Sequence, residues 1–362
     1  MKSPKVQKIS NKLKVGIAGY GLVGKRRRQF IDLTSDMVTA AVCDQAFKDA
    51  GAMPDGVKYF QNYKQLLKEP LDVLFISLPN YFAPEVTIAG LKKGLHVFCE
   101  KPPGKDVADI EDVIRVKKKY PQLKLKYGFN HRYHDSVKAA LKIVQSGDLG
   151  EIINLRGIYG KSKITPSDGN WRSERKLAGG GILLDQGIHM VDLMRLFTGN
   201  FTEVKSFVSN NFWKHDVEDN AYALMKDEKG RVAILHSSAT QWQHCFSLDV
   251  TLTKGYLRLQ GILTSTKSYG EEKLIIGRRS SLNTGTEREE IITYLEDPSW
   301  REEVHEFVNA IIEDTAVKSG TVEDAYETMK TVYAIYGADP DWKKAYNIQD
   351  VLTEQVVQAK MR

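Results

Sequence analysis

The stretch KVGIAGYGLVG, residues 14–24, decides the fold of this sequence. An apolar run leads directly into Gly19, Gly21 and Gly24, which have the GxGxxG spacing. In such a turn the first glycine lets the chain reverse tightly after a strand. The second lets backbone approach a pyrophosphate, and the third lets the following helix pack on the strand. The spacing alone is a weak indication, so its meaning depends on the sequence around it.

Short apolar runs alternate with helix-period segments on the carboxyl side of this turn. The apolar runs are MVTAAVCD, LDVLFISLP, LHVFCEKP and LKLKYGFN, and the segments between them include PEVTIAGLKKG and DVADIEDVIRVKKKYP. Strands and helices that take turns in this way form a parallel sheet with helices on both faces. We therefore predict an α/β, dinucleotide-binding domain over residues 1–129.

The rhythm changes from Asn130 onward. A helix, a strand, the long irregular segment 162–181 and an apolar helix are followed by hairpin patterns: AYALM and RVAILHSSA flank KDEKG, and SLDVTL and YLRLQGI flank TKG. Two helical segments, REEVHEFVNAIIED and VEDAYETMKTVYAIYGA, come last. Residues 130–362 are therefore predicted to form a second domain, a mostly antiparallel sheet with helices on one side.

Composition narrows the class of protein. The chain has 362 residues, 42% of them hydrophobic, which is enough for two cores, and its net charge of +6 is spread along the chain. Such an excess suits anionic small molecules without requiring nucleic acid. The dense cluster Lys25–Arg28 follows the glycine turn, so we interpret it as a solvated or phosphate-facing first helical turn.

Cysteine, histidine and hydropathy patterns give further expectations. Cys43, Cys99 and Cys245 are odd in number and form no CxxC pair, which argues against a disulfide framework or a cysteine-built zinc site. His131, His134, His215, His236 and His244 lack ligand spacing, so no metal is expected. The first 15 residues lack the apolar core of a secretion signal, and no stretch approaches the roughly 18 apolar residues of a membrane span. We expect a cytoplasmic protein that does not contact a membrane.

Asp44 indicates which dinucleotide binds. It ends the next predicted strand, 20 residues beyond Gly24, where a carboxylate accepts ribose hydroxyls and repels a 2′-phosphate. This favours NAD, while Lys25, Arg26 and Lys48 are close enough to leave NADP open. The predicted cofactor contacts from this half of the site are Gly19, Gly21, Leu22, Val23, Gly24, Asp44, Pro79 and Asn80, the last two because they end a strand at the ligand-binding edge of the sheet.

The stretch CEKPPGKD, residues 99–106, places charges directly after the apolar run LHVF. Glu100 and Lys101 are thus expected at the carboxyl end of a parallel strand, beside the nicotinamide half of the site. Pro102 pushes Lys101 out of the helical region, which holds it extended, and we predict a cis bond at Lys101–Pro102 or Pro102–Pro103. Taken alone, Lys101 could equally be a solvated strand-end lysine.

The segment LAGGGILLDQGIHMVDL, residues 177–193, carries two polar groups in an apolar helix pattern. Asp185 and His189 are four residues apart and therefore share a helix face, where buried polar groups need partners. His189 could be a satisfied core histidine, but Gly179–Gly181 permit a close approach by ligand or sheet. With Lys101 the pair suits hydride transfer: histidine as base, lysine holding the oxygen, aspartate orienting the lysine or a second hydroxyl.

These motifs resemble the glucose-fructose oxidoreductase, inositol dehydrogenase and rhizopine catabolism family (Gfo/Idh/MocA). The resemblance rests on GYGLVG, SLPN, CEKP, GDLGEI, NWRSERKLAGGGILLDQGIH and the late W-REEVHEF helix, and covers nearly the whole chain. It implies an N-terminal Rossmann domain and a C-terminal domain whose large open sheet carries the substrate on one face and often an oligomer interface on the other. By motif match, Lys101, Asp185 and His189 are the catalytic lysine, acid and base.

The resemblance also implies further contacts and a substrate class. Trp171 and Arg172 match a pair near the nicotinamide, while Asn130 and Arg132 match a stretch bordering the substrate pocket, with Lys163 as a compatible lining group. The implied protein is an NAD(P)-dependent oxidoreductase acting on a secondary hydroxyl or ketone of a cyclic polyol, sugar or nucleotide sugar, as a homodimer or homotetramer. Ala83–Pro84 stands where many members have a histidine.

Two other functions fit the same motifs. One is an NAD-dependent glycoside hydrolase that oxidises its substrate transiently. The other is a non-catalytic, cofactor-binding regulator.

Overall fold

A computed structural model describes residues 12–163, 171–264, 266–280 and 285–351. Of the first 15 residues, which were considered for a secretion signal, residues 1–11 lie outside this range. Residues 164–170 of the predicted irregular segment also lie outside it. The described chain forms two sheets, one mostly parallel and one mostly antiparallel, as the sequence predicts.

The first sheet has seven strands in the order β3-β4-β2-β1-β5-β6-β7. Its strands are β1 (Leu13–Ala18), β2 (Met37–Cys43), β3 (Gly51–Ala52), β4 (Lys58–Phe60), β5 (Val73–Ile76), β6 (His96–Glu100) and β7 (Leu125–Gly128). Neighbouring strands are parallel except for β3 and β4. The central strands are apolar along their length because helices cover both faces. The short edge hairpin β3–β4 was not predicted, since two- and three-residue strands leave no alternating pattern.

Helices join these strands as predicted. They are α1 (Leu22–Asp32), α2 (Tyr63–Leu66), α3 (Ala83–Lys92) and α4 (Val107–Lys117). Asn62 and Asp106 cap α2 and α4 by accepting hydrogen bonds from the Gln65 and Asp109 amides. The carboxyl ends of β1, β5 and β6 therefore open on one edge, and the order reverses between β2 and β5, where open sheets bind their ligands.

The second sheet has eight strands in the order β15-β14-β13-β12-β8-β11-β10-β9. Its strands are β8 (Ile152–Gly160), β9 (Phe201–Ser209), β10 (Asn220–Asp227), β11 (Val232–Ser238), β12 (Cys245–Leu252), β13 (Gly255–Gln260), β14 (Glu272–Arg279) and β15 (Thr286–Tyr294). Both predicted hairpins, β10–β11 and β12–β13, are confirmed. Strand β8 joins them, parallel to β11 and antiparallel to β12.

The remaining helices are α5 (Asp135–Ser146), α6 (Arg175–Ala178), α7 (Ile188–Thr198), α8 (Ser299–Ile312), α9 (Val322–Ala338) and α10 (Pro340–Tyr346). Helix α5 stops at Gly147, whose φ of 75° is the left-handed conformation that glycine adopts without cost. Helix α8 returns to the first sheet, where Phe307 packs against Phe75 and Phe98. A late segment of the chain thus covers one face of the nucleotide-binding sheet.

The basic cluster Lys25–Arg28 differs from the prediction at Arg27. This guanidinium is buried: its Nε donates to Glu100 (2.6 Å), its Nη2 lies 2.7 Å from Glu303, and it stacks over Trp300. Because of the helical period, Arg27 is the one residue of these four that points inward. Its ion pairs with Glu100 and Glu303 connect α1 to β6 and α8. Arg27 is therefore a structural cation and not a solvated or phosphate-facing one.

Among the residues that the structure describes, no helix is long and apolar enough to cross a membrane. The same residues contain no group of three or more histidine, cysteine or acidic side chains that could hold a metal ion.

Candidate active site

The glycine-rich turn forms a cradle at the amino end of α1. Gly19 has φ +89°, and a Cβ on Gly24 would lie 1.9 Å from the carbonyl oxygen of Gly19. A Cβ on Gly21 would meet open space among the described residues, and no described side chain caps α1. Free helix amides behind a glycine turn are suited to bind a pyrophosphate, so the residues present fit a dinucleotide.

A cavity of about 570 Å³ continues from this cradle along the carboxyl edge of the sheet. Pro79 and Asp44 line it, and Leu22 and Val23 are exposed at the start of α1. The Asp44 carboxylate accepts hydrogen bonds from the amides of Tyr20 (2.8 Å) and Ala46 (2.9 Å). Its position is therefore fixed at the end of β2, as binding to ribose hydroxyls requires.

Asp44→Asn is expected to raise the affinity for NADP at least about tenfold, because it removes a carboxylate that repels the 2′-phosphate. The amide oxygen of asparagine can still accept from Tyr20, so the turn keeps its shape. Titration of both cofactors by tryptophan fluorescence measures the change, with Asp36→Asn, before β2 at the opposite edge, as the control. An unchanged NADP affinity would mean that Asp44 does not set the preference.

Lys101 follows β6 and reaches the second domain. The predicted cis bond is present at Lys101–Pro102. The Lys101 ammonium donates a short hydrogen bond to the main-chain oxygen of Asp185. Burial lowers the pKa of Lys101, against the raising effect of Asp185 and Glu100. The side chain of this strand-end lysine is thus partly buried against the segment of the second domain that carries Asp185.

The Asp185 carboxylate lies among cations. Lys161 Nζ donates to its Oδ2 (3.2 Å), and Arg172 Nε is 3.6 Å from its Oδ1. Burial alone would raise the pKa of this carboxyl, but Lys161, Lys101 and Arg172 together hold it below its usual range. Asp185 is therefore ionised at neutral pH and can accept hydrogen bonds but not donate them.

The helix that carries Asp185 and His189 begins irregularly. Residues Leu183–Gly187 form a π-helical turn before α7, where the sequence predicts α-helix throughout. Wide turns of this kind are frequent at functional sites because they redirect side chains. His189 is buried in the first turn of α7, and burial, Lys101 and His134 lower its pKa well below the usual value for histidine. It is therefore neutral at neutral pH.

The triple glycine brings this helix close to its neighbours. Gly179 has φ +85°, and a Cβ there would lie 1.9 Å from the Lys105 carbonyl oxygen. The buried Glu218 carboxylate accepts from the amides of Gly181 (2.7 Å) and Leu183 (2.9 Å), which caps the π-helical turn. The close approach of these glycines is thus to other parts of the protein: backbone for Gly179 and Gly181, and the Tyr336 side chain for Gly180.

Three predicted nicotinamide-side residues lie beside Asp185. Asn80, Trp171 and Arg172 line one small cavity with Asp185 and Lys161. The Asn80 amide donates to the Ala178 carbonyl (2.7 Å), and the Arg172 guanidinium stacks 4.3 Å over the Trp171 ring. The structure therefore brings the SLPN, CEKP and NWRSERKLAGGGILLDQGIH motifs together at one place.

One predicted substrate residue and one predicted cofactor residue form ion pairs with other parts of the chain. Arg132 forms a bidentate ion pair with Asp192 (2.6 and 2.7 Å) and a second pair with Asp324 (2.8 Å). Each of its three nitrogens donates to a carboxylate, which gives Arg132 a structural role; its substrate role stays a prediction. Glu100 pairs with the buried Arg27 and is an anchor for that cation.

The other two predicted substrate residues, Asn130 and Lys163, differ in exposure. Asn130 is buried, and its amide donates to Ser299 Oγ (3.0 Å) at the start of α8. Lys163 is exposed at the edge of the described chain. The substrate roles predicted for both residues stay predictions.

Sequence reasoning underrated two neighbours of the site. Lys161 received no role from the sequence motifs, although it is the first residue after β8 and pairs with Asp185. Gln186 received no role, yet it donates to Tyr269 while its Oε1 is buried without a partner among the described residues. The position after a strand end was the available signal for Lys161; nothing local marked Gln186.

The fold and the glycine cradle define a nicotinamide-dependent oxidoreductase with an NAD-binding Rossmann domain. Residues 13–129 match the model of the oxidoreductase family with NAD-binding Rossmann fold, and residues 137–258 match the GFO/IDH/MocA C-terminal domain. The chain therefore belongs to the Gfo/Idh/MocA family, as the sequence motifs indicate.

Similar proteins include named dehydrogenases. D-glucoside 3-dehydrogenase of Escherichia coli (strain K12) is 28% identical over 251 residues, which cover 63% of this chain and 71% of that protein. Myo-inositol 2-dehydrogenase of Thermotoga maritima is 26% identical over 235 residues, 62% of this chain and 68% of that protein. The solved structure of levoglucosan dehydrogenase in complex with NADH shares the fold, with TM-score 0.77, 19% identity, and coverage of 92% and 98%.

Proposed function

We propose that this protein transfers a hydride between a nicotinamide cofactor and a secondary hydroxyl or ketone carbon of a cyclic polyol or sugar, including nucleotide-linked sugars. One observation carries the proposal: Lys101, Asp185 and His189 converge at the carboxyl edge of the Rossmann sheet, beside the glycine cradle. The relatives described above are dehydrogenases of glucosides, inositol and levoglucosan, which supports this substrate class.

The three side chains have complementary tasks in this proposal. When bound, the nicotinamide ring supplies the hydride acceptor or donor. Lys101 donates a hydrogen bond to the reacting oxygen and stabilises negative charge on it. Neutral His189 takes the hydroxyl proton during oxidation and returns it during reduction. Asp185 holds Lys101 and Lys161 in place and accepts from a second hydroxyl of the ring.

NAD is the proposed cofactor, with NADP as the alternative. Gly19, Gly21 and Gly24 would hold the pyrophosphate, Asp44 the adenosine ribose, and Asn80, Trp171 and Arg172 would border the nicotinamide. The fixed Asp44 carboxylate supports NAD. Of the cations on α1, Arg28 is paired with Asp32 and Asp55, whereas Lys25 and Arg26 keep NADP open as the alternative.

An assay of purified protein tests the reaction. NAD and NADP are offered with a panel of polyols, sugars, sugar acids and nucleotide sugars, and reduced nicotinamide is followed by absorbance. We expect turnover with one substrate class that is lost in His189→Gln. Release of free sugar from glycosides without accumulation of NADH would indicate the hydrolase. Cofactor binding without any turnover would indicate the regulator.

We propose a homodimer or homotetramer in the cytoplasm, with domains at 1–129 and 130–362. Apolar side chains on the second sheet remain exposed, among them Phe207 (79%), Leu224 (50%) and Ile234 (45%), as on a surface that a second copy covers. The free cysteines suit a reducing compartment. Sedimentation at equilibrium is expected to give two or four chains; a monomer would contradict the assembly.

A further inference from the structure

A second histidine lies flat against the proposed base. His131, in the helical turn Asn130–Tyr133 after β7, and His189, in α7, are both buried. Their ring centroids are 3.8 Å apart and the ring planes differ by 10°. This is a parallel stack between two separate elements, so one face of the His189 ring is covered by the His131 ring.

No hydrogen bond to the His189 ring is present within the described part of the chain. Its Nδ1 is buried and has no partner among the residues that the structure describes. A histidine that moves protons is ordinarily oriented by a hydrogen bond at the ring nitrogen that does not react. In this site the His189 ring must therefore be oriented by the side chains that pack against it.

His131 is itself held at both nitrogens. The amide of Asn130 donates to Ser299, so its Oδ1 is the acceptor for His131 Nδ1–H (3.2 Å). His131 Nε2 then accepts from the hydroxyl of Tyr159 (3.0 Å). These two bonds define a single neutral tautomer and fix the plane of the ring. The ring face that His131 presents to His189 is therefore held in place. Asn130 contributes to the site indirectly, because it helps to hold the His131 ring.

We propose that His131 is a positioning residue: its fixed ring orients the imidazole of His189 by stacking and shields it from water. The proposal rests on the function proposed above, since it assigns His131 a task in the proton transfer of His189. It also accounts for a histidine that the proposed reaction does not otherwise use.

The charges around the stack support a neutral pair. Lys101 and His134 face His189, while His134, Lys101 and the Tyr159 hydroxyl face His131. His134 is bonded to the buried Glu272 (2.7 Å) and lies 3.9 Å from Asp297. Burial, then His189, His134 and Lys101, lower the pKa of His131 well below its usual value. The rings of His131 and His189 are thus both neutral at neutral pH and become protonated only under acid conditions.

Two variants separate stacking from hydrogen bonding. His131→Phe keeps an aromatic face but loses both polar contacts, whereas His131→Gln keeps a donor and an acceptor but no ring. In His131→Gln water reaches the His189 ring, so its titration should move up by about one pH unit. Its kcat should fall at least about tenfold with KM little changed, because the base is less well placed. His131→Phe should keep the His189 titration and most of kcat.

Two measurements are made. NMR of isotope-labelled protein follows the titration of the imidazoles, and the His189 signal is the one that disappears in His189→Gln. The pH profile of kcat/KM is recorded alongside. In the wild type the acid limb should lie below the ordinary histidine value of about 6.5, because a lowered pKa keeps the base neutral as the pH falls. The NMR arm needs no substrate, so a failed assay overturns the proposed function alone. An unmoved titration in His131→Gln, or an upward shift of about one pH unit in His131→Phe, would overturn the role of stacking. The His131→Phe measurement is compared with the wild type, so it also decides the matter if His131→Gln does not fold.

Discussion

Lys101→Met is expected to lower kcat/KM by about 10³-fold while NAD binding stays unchanged, because removing a preorganised donor to a developing oxyanion costs about 10²–10³ in rate. Loss of a nearby charge that helps to keep His189 neutral changes the pH profile further. Methionine has a similar length and fills the same space, so the fold should persist. Steady-state kinetics with the best substrate of the panel, and NAD titration by fluorescence, measure the two effects.

The control for this change is Lys93→Met, an exposed lysine at the end of α3. It removes the same charge from the same domain, and its kcat/KM should match that of the wild type. If Lys101→Met retained full turnover, Lys101 would have no part in the reaction. If its loss arose from NAD binding alone, Lys101 would be a cofactor ligand and not a catalytic residue.

Arg132→Leu is expected to lower the free energy of unfolding by about 3–5 kcal/mol, the usual cost of leaving a buried partner charge unpaired. Asp192 is fully buried and would lose two short hydrogen bonds, and Asp324 would lose one. Urea unfolding followed by circular dichroism gives the free energy. Turnover of the folded fraction should show an unchanged KM, since all three Arg132 nitrogens already donate to carboxylates.

Arg258→Leu is the matched control. Arg258 pairs with Asp249 at 2.7 Å on the second sheet but is more than a third exposed, so its loss should cost no more than about 1 kcal/mol. A stable Arg132→Leu protein with a raised KM would support Arg132 as a substrate residue and contradict the ion-pair account.

The first domain could be predicted because its determinants are local. A glycine turn, a strand-end Asp44 and alternating apolar and helical segments each appear within a few residues, and parallel order follows from that alternation. The same holds for Lys101 with its cis proline and for the spacing of Asp185 and His189. The motif resemblance joined these separate signals into one site.

The ion pairs that the sequence did not reveal join charges that are distant in the chain. Arg27 pairs with Glu100, 73 residues away, and Arg132 pairs with Asp192 and Asp324, 60 and 192 residues away. A sequence shows that an arginine is present but not which carboxylate folds against it. The π-helical turn at Leu183–Gly187 was not predicted for a related reason: it depends on capping by Glu218, which lies in a loop distant in sequence.

Reduction of NAD by the purified protein, compared between wild type and His189→Gln across the polyol and sugar panel, tests the central claim most directly. The account predicts formation of NADH with one class of cyclic polyol or sugar, at a rate that falls about 10²–10⁴-fold when the base is removed. Full activity in His189→Gln, or binding of NAD with no reduction by any member of the panel, would contradict it.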